Sequence, residues 1–465
     1  MSEKIKENPL GAEPINKLLK SFAVPSIIAM LVSALYNIVD QFFIGRSIGG
    51  LGNAATNIAF PLSISCVSIA LLFGIGGAST FNLAMGKGDK KEAVYYIGNA
   101  AVMMFGCGLV LCVITQIFLT PLLIFFGAPA DVLGYAKIYT RITSIGFPFL
   151  ILATGGGHLI RADGSPKFTM LCNLTGAVIN TILDAIFVFV LNMGMAGAAI
   201  ATIIGQTISG VMAFYYLRNY KTAAIKKEHL IIRRKYCGRI VSLGAAPCSN
   251  QLAMMVVQIV MNKSLAYYGS LSSYGQAIPL ASVGIITKVN QVFFSFIIGL
   301  SQGLQPIVSF NYGAKKFTRV KSAYIRAISY GFGLSLIAFI MFQLLPRQII
   351  SVFGNGSEGY YRFAVSYFKV FLFFTFLNFL QPISSNFFTA IGKPKKGIFL
   401  SLTRQILFLL PLILLLPLSF GIDGILYAGP IADLTAGVVA VIMIIKEFKN
   451  KHYWETSHDE KKGEL

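Results

Sequence analysis

Two carboxylates stand out because nearly everything around them is apolar. Asp40 sits in Tyr36-Asn37-Ile38-Val39-Asp40-Gln41, where Asn37, Asp40 and Gln41 share a helical face at i, i+3 and i+4. Asp184 sits in Asn180-Thr181-Ile182-Leu183-Asp184, with Asn180 one turn back on the same face. A carboxylate beside an amide offers oxygen ligands to Na⁺, a hard cation. It can equally hold a proton, because burial in an apolar medium penalises the charged form. Asp433, just after Pro430, is the third acid inside an apolar run. Competing structural readings exist: Asp40 could cap a helix near Gly45, and Asp433 could pair with a nearby base. Ionisable groups within a bilayer are costly and mark function by default. That weighs toward chemistry at Asp40 and Asp184.

The basic candidates are fewer. Lys263 and Arg404 stand toward the ends of their apolar runs, where long side chains snorkel to the interface. Lys288 stands deeper, as a counter-charge or against a water-filled cleft. Gln41, Lys288 and Asp433 are therefore candidate cleft residues. Arg141 and Lys369 occupy corresponding helices 4 and 10, with no partner evident. Gly74-Ile75-Gly76-Gly77 follows no strand and lacks the Lys-Ser/Thr of a phosphate loop, so it reads as helix packing. His158, after Gly155-Gly156-Gly157, has no second ligand at metal spacing and reads as an interface histidine. The six cysteines nearly all fall within apolar runs and read as small packing residues. No nucleophile–base pair and no cofactor motif appears. The expectation is a protein that is not an enzyme and carries no cofactor.

These side chains must be held by membrane helices. Hydrophobic residues are 55% of the chain and charged residues 12%, about half the charged share of a soluble domain. Apolar runs long enough for a bilayer core recur at 20–44, 54–80, 93–120, 133–158, 168–191, 195–217, 240–266, 278–308, 322–346, 364–389, 397–419 and 424–446. The basic residues concentrate in alternate loops and in the stretch 218–239, which is the positive-inside pattern. It puts both termini and that linker in the cytoplasm of a cell-membrane protein. A net charge of +21 spread in this way gives no single basic face for nucleic acid. No small-residue cleavage site follows the first run, so it reads as a retained span.

The chain is also written twice. Met85-Gly86-Lys87-Gly88 recurs as Tyr312-Gly313-Ala314-Lys315, Phe126-Gly127 as Phe353-Gly354, and Met193-Gly194 as Phe420-Gly421. Gly164-Ser165-Pro166-Lys167 recurs as Gly392-Lys393-Pro394-Lys395, and Pro25 and Pro247 sit near the start of each copy. With six spans per copy, both copies start on the same side and are related by a pseudo-two-fold axis normal to the membrane. The expected architecture is an all-α polytopic membrane protein of two six-helix bundles. Its parts are a tail 1–19, a lobe 20–217, a basic linker 218–239, a lobe 240–446 and a charged tail 447–465. Carried across the repeat, Asp40 falls at Asn262 and Asp184 at Pro411 or Leu412, so the acid pair exists in one copy only.

The two repeats, "SALYNIVDQFFIG" in helix 1, "INTILDAIFVF" in helix 5 and the Gly-x-Pro-Lys hairpins resemble the multidrug and toxic compound extrusion (MATE) family. The resemblance covers residues 15–446 and is nearest to the bacterial DinF-like and MepA-like branch. It implies an antiporter that expels cationic amphiphiles while H⁺ or Na⁺ enters. The family's amino-terminal cation site maps onto Asp40, Asn180, Asp184 and Thr202, with Tyr139 nearby. Its helix-1 proline maps onto Pro25, at a bend that responds to protonation. The NorM-like branch places acids in helices 7 and 10, and the runs 240–266 and 364–389 contain none. The expected partners are small amphiphilic cations and membrane lipid, with the chain acting as a monomer. The alternative is a lipid-linked oligosaccharide flippase of the same superfamily, which needs a cationic cavity that Lys263, Lys288 and Arg404 could supply. A passive channel fits poorly, because no charge ring or filter is evident.

Overall fold

A computed structural model describes residues 8–222, 224–352 and 357–449. The described residues are helical with no strand, as a backbone without water to bond must be when it spans lipid. The amino-terminal lobe comprises α1 (Ile15–Ile48), α2 (Gly50–Gly86), α3 (Lys90–Ile117), α4, α5 (Pro166–Val190) and α6 (Gly194–Arg218). The α4 span is Ala130–Ile145 and Phe147–Ala162, meeting at 56°. The second lobe comprises α7 (Arg234–Ser270), α8 (Ala277–Gly313), α9 (Phe317–Leu344), α10 (Glu358–Ala390), α11 (Pro394–Phe420) and α12 (Ile422–Phe448). Twelve apolar spans result, six in each half.

Local structure repeats along with the sequence. Gly88, Gly164 and Gly194 adopt left-handed backbone (φ 85°, 79° and 55°), and so do their counterparts Lys315, Gly392 and Gly421 (φ 59°, 78° and 57°). Short helices Leu119–Phe125 and Pro346–Ser351 lead into α4 and α10 in corresponding places. The bend of α4 at Gly146 has its counterpart in α10, which is interrupted by a 3₁₀ turn at Thr375–Leu377. Gln116 Nε2 donates to the Arg141 carbonyl at 2.7 Å, and Gln343 Nε2 to the Lys369 carbonyl at 3.2 Å. The side chains of Arg141 and Lys369 are exposed. What these positions share is thus a backbone acceptor for a glutamine, with no ion pair at either among the described residues. The second member of the Phe126-Gly127 correspondence, Phe353-Gly354, lies outside the described residues.

Several expected boundaries shift. Helix α1 begins at Ile15, inside the expected tail, and α7 begins at Arg234, inside the expected linker. Basic residues can stand on the first turns of α7 because they find partners there: Lys235 Nζ meets Glu92 Oε1 at 3.0 Å. The remaining linker is strapped to α3, where Asn99 Nδ2 donates to the carbonyls of His229 and Ile231 at 3.1 and 3.2 Å. Glu447, expected in a charged tail, is a buried residue of α12 that pairs with Lys393 and with Lys396, the latter at 2.6 Å. The rest of that tail, 450–465, lies outside the described residues, as do 1–7.

The lobes meet along α1–α8 and α2–α7, and their tightest approaches all fall at one end. A Cβ on Gly76 would overlap the Ile240 carbonyl, and one on Gly244 the Leu72 carbonyl. Gly86 and Gly313, which are repeat counterparts, lie against each other's helices, the first at Phe310 to Ala314 and the second at Leu83. A self-complementary contact between counterparts is what a two-fold axis produces. Across the same seam Gln305 Nε2 donates to Ser79 Oγ at 2.7 Å. The amino-terminal segment fastens there too: Asn311 Nδ2 donates to the Leu10 carbonyl at 2.8 Å and Arg319 Nη2 to the Glu13 carbonyl at 2.6 Å. This sealed end carries the basic hairpins and the linker.

Candidate functional site

Helices α1, α5, α6 and the first segment of α4 converge on the amino-terminal acid pair. Asp184 is fully buried and Asp40 is 8% exposed. Asp184 ends the α-helical part of α5, and a π-helical segment, Ala185–Val190, follows it. Such segments shift the register of side chains and recur at functional sites. The two carboxyls face each other, with Thr202 beside Asp40. With its amide turned to satisfy both ends, Asn180 donates from Nδ2 to Asp184 Oδ2 at 3.1 Å and accepts from the Thr202 backbone N–H at 3.1 Å. Thr202 Oγ1 donates to the Ala198 carbonyl at 2.9 Å. Tyr139 faces the same group from α4. Asp40 Oδ1 and Asp184 Oδ1 are buried without a hydrogen-bond partner among the described residues. Two facing carboxylates with no base between them repel strongly, and a proton or a cation relieves that repulsion.

The structure therefore gathers Asp40, Asp184, Asn180, Thr202 and Tyr139. It adds Tyr36 and Gln206, which sequence reading passed over. Both were within reach of the helical rule: Tyr36 stands four residues before Asp40, and Gln206 four after Thr202. Asn37 is not brought in. It is exposed and its Nδ2 donates to the Ser33 carbonyl at 2.8 Å, so its amide serves its own helix. Helix α1 runs unbroken through the buried Pro25.

A second feature lies between the lobes. A cavity of about 260 Å³ is walled by α1, α2, α4 and α5 on one side and by α7, α8, α10 and α11 on the other. None of Gln41, Lys288 and Asp433 lines it. Helix α1 reaches the cavity through Met30 and Ser33, and Gln41 lies about 12 Å further along the axis at 1.5 Å per residue. Helix α8 reaches it through Ile298, Ser301 and Gln302, well beyond Lys288. Asp433 turns instead into the α11–α12 interface, where Oδ1 accepts from Arg404 Nε at 2.6 Å. Arg404 consequently does not snorkel, whereas Lys263 is exposed. The pairing reading of Asp433 is the one the structure supports.

Arg161, just past the apolar run 133–158, is buried in the last turn of α4 and lines the cavity. It bonds His158, which has no metal-ligating cluster around it among the described residues. The six cysteines are all free. In α7 there is no acid at all, and α10 holds one only at its first residue, Glu358, which pairs with Arg347 at 3.0 Å.

Two six-helix lobes about a pseudo-two-fold axis, with a cavity between them and a buried acid pair in one lobe, define a two-lobed membrane transporter fold. The chain belongs to the MatE family, whose model matches residues 25–186 and 249–415. It is similar to the multidrug export protein MepA of Staphylococcus haemolyticus, at 25% identity over 92% of this chain and 93% of that one. Among solved structures it is similar to the MATE multidrug transporter DinF-BH. That likeness has 30% identity and a TM-score of 0.87 over 98% of this chain and 99% of that one. It also shares the fold of an outward-facing MATE family transporter of the MOP superfamily, at 20% identity and a TM-score of 0.88 over 96% and 99%.

Proposed function

We propose that this chain is an ion-coupled efflux antiporter of the cell membrane that exports cationic amphiphiles by alternating access. The observation that carries the reading is the facing pair Asp40 and Asp184, buried, unpaired by any base, and each with an oxygen that no described group satisfies. Leaving two such carboxylates bare in an apolar lobe is costly. An entering ion and a cationic cargo therefore compete for the same relief, and occupancy by one favours release of the other. Helices α1 and α5 carry both this pair and part of the cavity wall, through Ser33 and through Thr169 and Asn173. They are the physical link between ion and cargo. Similarity along nearly the whole chain to named multidrug exporters weighs against the flippase alternative.

The coupling ion is H⁺ or Na⁺. Asn180 and Thr202 stand beside the pair whichever ion it takes. With termini and linker cytoplasmic, the sealed end is the cytoplasmic one, and the lobes here are closed toward the inside. The test is dye efflux from proteoliposomes, with pH and Na⁺ gradients imposed separately. Wild type should follow one gradient, and Asp40→Asn and Asp184→Asn should lose gradient-driven efflux while remaining monodisperse. Unchanged efflux in both variants overturns the mechanism.

A further inference from the structure

The cavity between the lobes has the opposite polarity to the acid pair. Its lining contains no Asp or Glu, yet Arg161 faces it at 3% exposure. No ion pair among the described residues involves Arg161 and its Nε has no hydrogen-bond partner. Among the described residues its side chain makes one bond, from Nη2 to His158 Nδ1 at 2.9 Å. A guanidinium only donates, so Nδ1 accepts and the neutral ring carries its proton on Nε2. His158, 2% exposed, thereby offers a second donor at the cavity. The helix end explains part of this: carbonyls at a carboxy-terminus carry roughly half a negative charge. Half a charge does not match a whole one taken out of water, a cost of several kcal/mol.

The opposing lobe answers in kind. The repeat counterpart of Arg161 is Thr389, which lines the cavity with its Oγ1 buried and without a partner. Asn386 lines it as well, its amide committed to Ser301 at 2.9 Å. We propose that this interlobe cavity binds an anionic group, a carboxylate or phosphate borne by an amphiphile, with Arg161 as its counter-charge, His158 as a second donor and Thr389 completing the contact from the other lobe. An arginine suits both groups because its planar fork matches their paired oxygens. Two donors from one lobe and one from the other would let the ligand hold the lobes together. The proposal goes beyond the transporter reading: there a positive charge on the cargo answers to the acid pair, and here an anionic group answers to Arg161. Equilibrium binding keeps the two separable: a chain whose acid pair is inert to ions would still bind an anion at Arg161.

The experiment is equilibrium binding of radiolabelled octanoate to the full chain in phosphatidylcholine nanodiscs, with octyl phosphate, octanamide and octyltrimethylammonium as competitors. Octanoate should bind and be displaced by octyl phosphate, at least tenfold better than by octanamide or octyltrimethylammonium. Arg161→Gln should weaken binding at least tenfold, Arg161→Lys less, and Lys263→Gln, an exposed cation away from the cavity, not at all. Gln302→Glu, which puts an acid into the cavity while keeping Arg161, should abolish octanoate binding, and this arm stands should Arg161→Gln fail to fold. Repeating the assay in phosphatidylglycerol nanodiscs at raised ionic strength separates the sources. Suppressed binding assigns the site to a lipid phosphate and undiminished binding to a soluble anion, and either result upholds it. No octanoate binding by wild type in phosphatidylcholine overturns the proposal, as does binding that survives both Arg161→Gln and Gln302→Glu or a wild-type preference for octyltrimethylammonium.

Discussion

Gly244→Ala should pry open the sealed end of the molecule. The new Cβ would stand 2.5 Å from the Leu72 carbonyl carbon and 2.8 Å from its Cα, with the oxygen closer still. All of these are backbone atoms of α2, so no side chain can swing aside. The two helices must part or tilt by roughly an ångström, and overpacking of this kind costs about 1–3 kcal/mol. The penalty applies only while the lobes are sealed here, so it biases the equilibrium toward the opposite state by about 5–150-fold. The reporter is Ser79, fully buried at this seam and bonded to Gln305 at 2.7 Å. In a background with the native cysteines replaced, Ser79→Cys should react with a maleimide at least fivefold faster when Gly244→Ala is present. Gly238→Ala, on the same helix but facing open space, is the control and should leave the rate unchanged. Equal labelling in the Gly244 variant and the control would refute the view that glycine contacts hold this end shut.

Other consequences follow from the same geometry. Arg404→Met leaves the fully buried Asp433 carboxylate alone and should cost about 3–5 kcal/mol, lowering the thermal transition sharply. The double change with Asp433→Leu should recover most of it, and a double variant as unstable as the single would show that the pair does more than satisfy itself. Lys315→Gly should stabilise the α8–α9 hairpin by about 1 kcal/mol, since its φ of 59° is one that glycine adopts freely; a fall in transition temperature counts against this. Glu447→Gln should destabilise by about 1–3 kcal/mol, because the residue is a buried partner of Lys393 and Lys396; a neutral result in thermal melts would return it to a solvated tail.

The fold was legible in the sequence because lipid leaves few choices. Twelve apolar runs had to be helices, and glycines recurring at Gly164 and Gly392, or Gly194 and Gly421, marked turns whose left-handed backbone repeats in space. The pair Asp40 and Asp184 was legible because isolated acids in apolar runs are conspicuous. Partnership across helices was not. Nothing in the chain tied Arg404 to Asp433, twenty-nine residues apart on neighbouring spans, so one was read as snorkelling and the other as a cleft residue. Arg161 was hidden by its position: it stands just past the apolar run 133–158, and only packing shows it buried against a cavity. The break in α10 had no glycine or proline at 372–379 to announce it.

The central claim is that one buried acid pair exchanges ion for cargo. The most direct measurement is ion release on cargo binding: a cationic dye is titrated into the purified protein in weak buffer, with released H⁺ and Na⁺ followed together. Wild type should release one kind of ion as the dye saturates, and Asp184→Asn should bind dye with that release lost. Release that persists undiminished in Asp184→Asn and in Asp40→Asn would contradict the account.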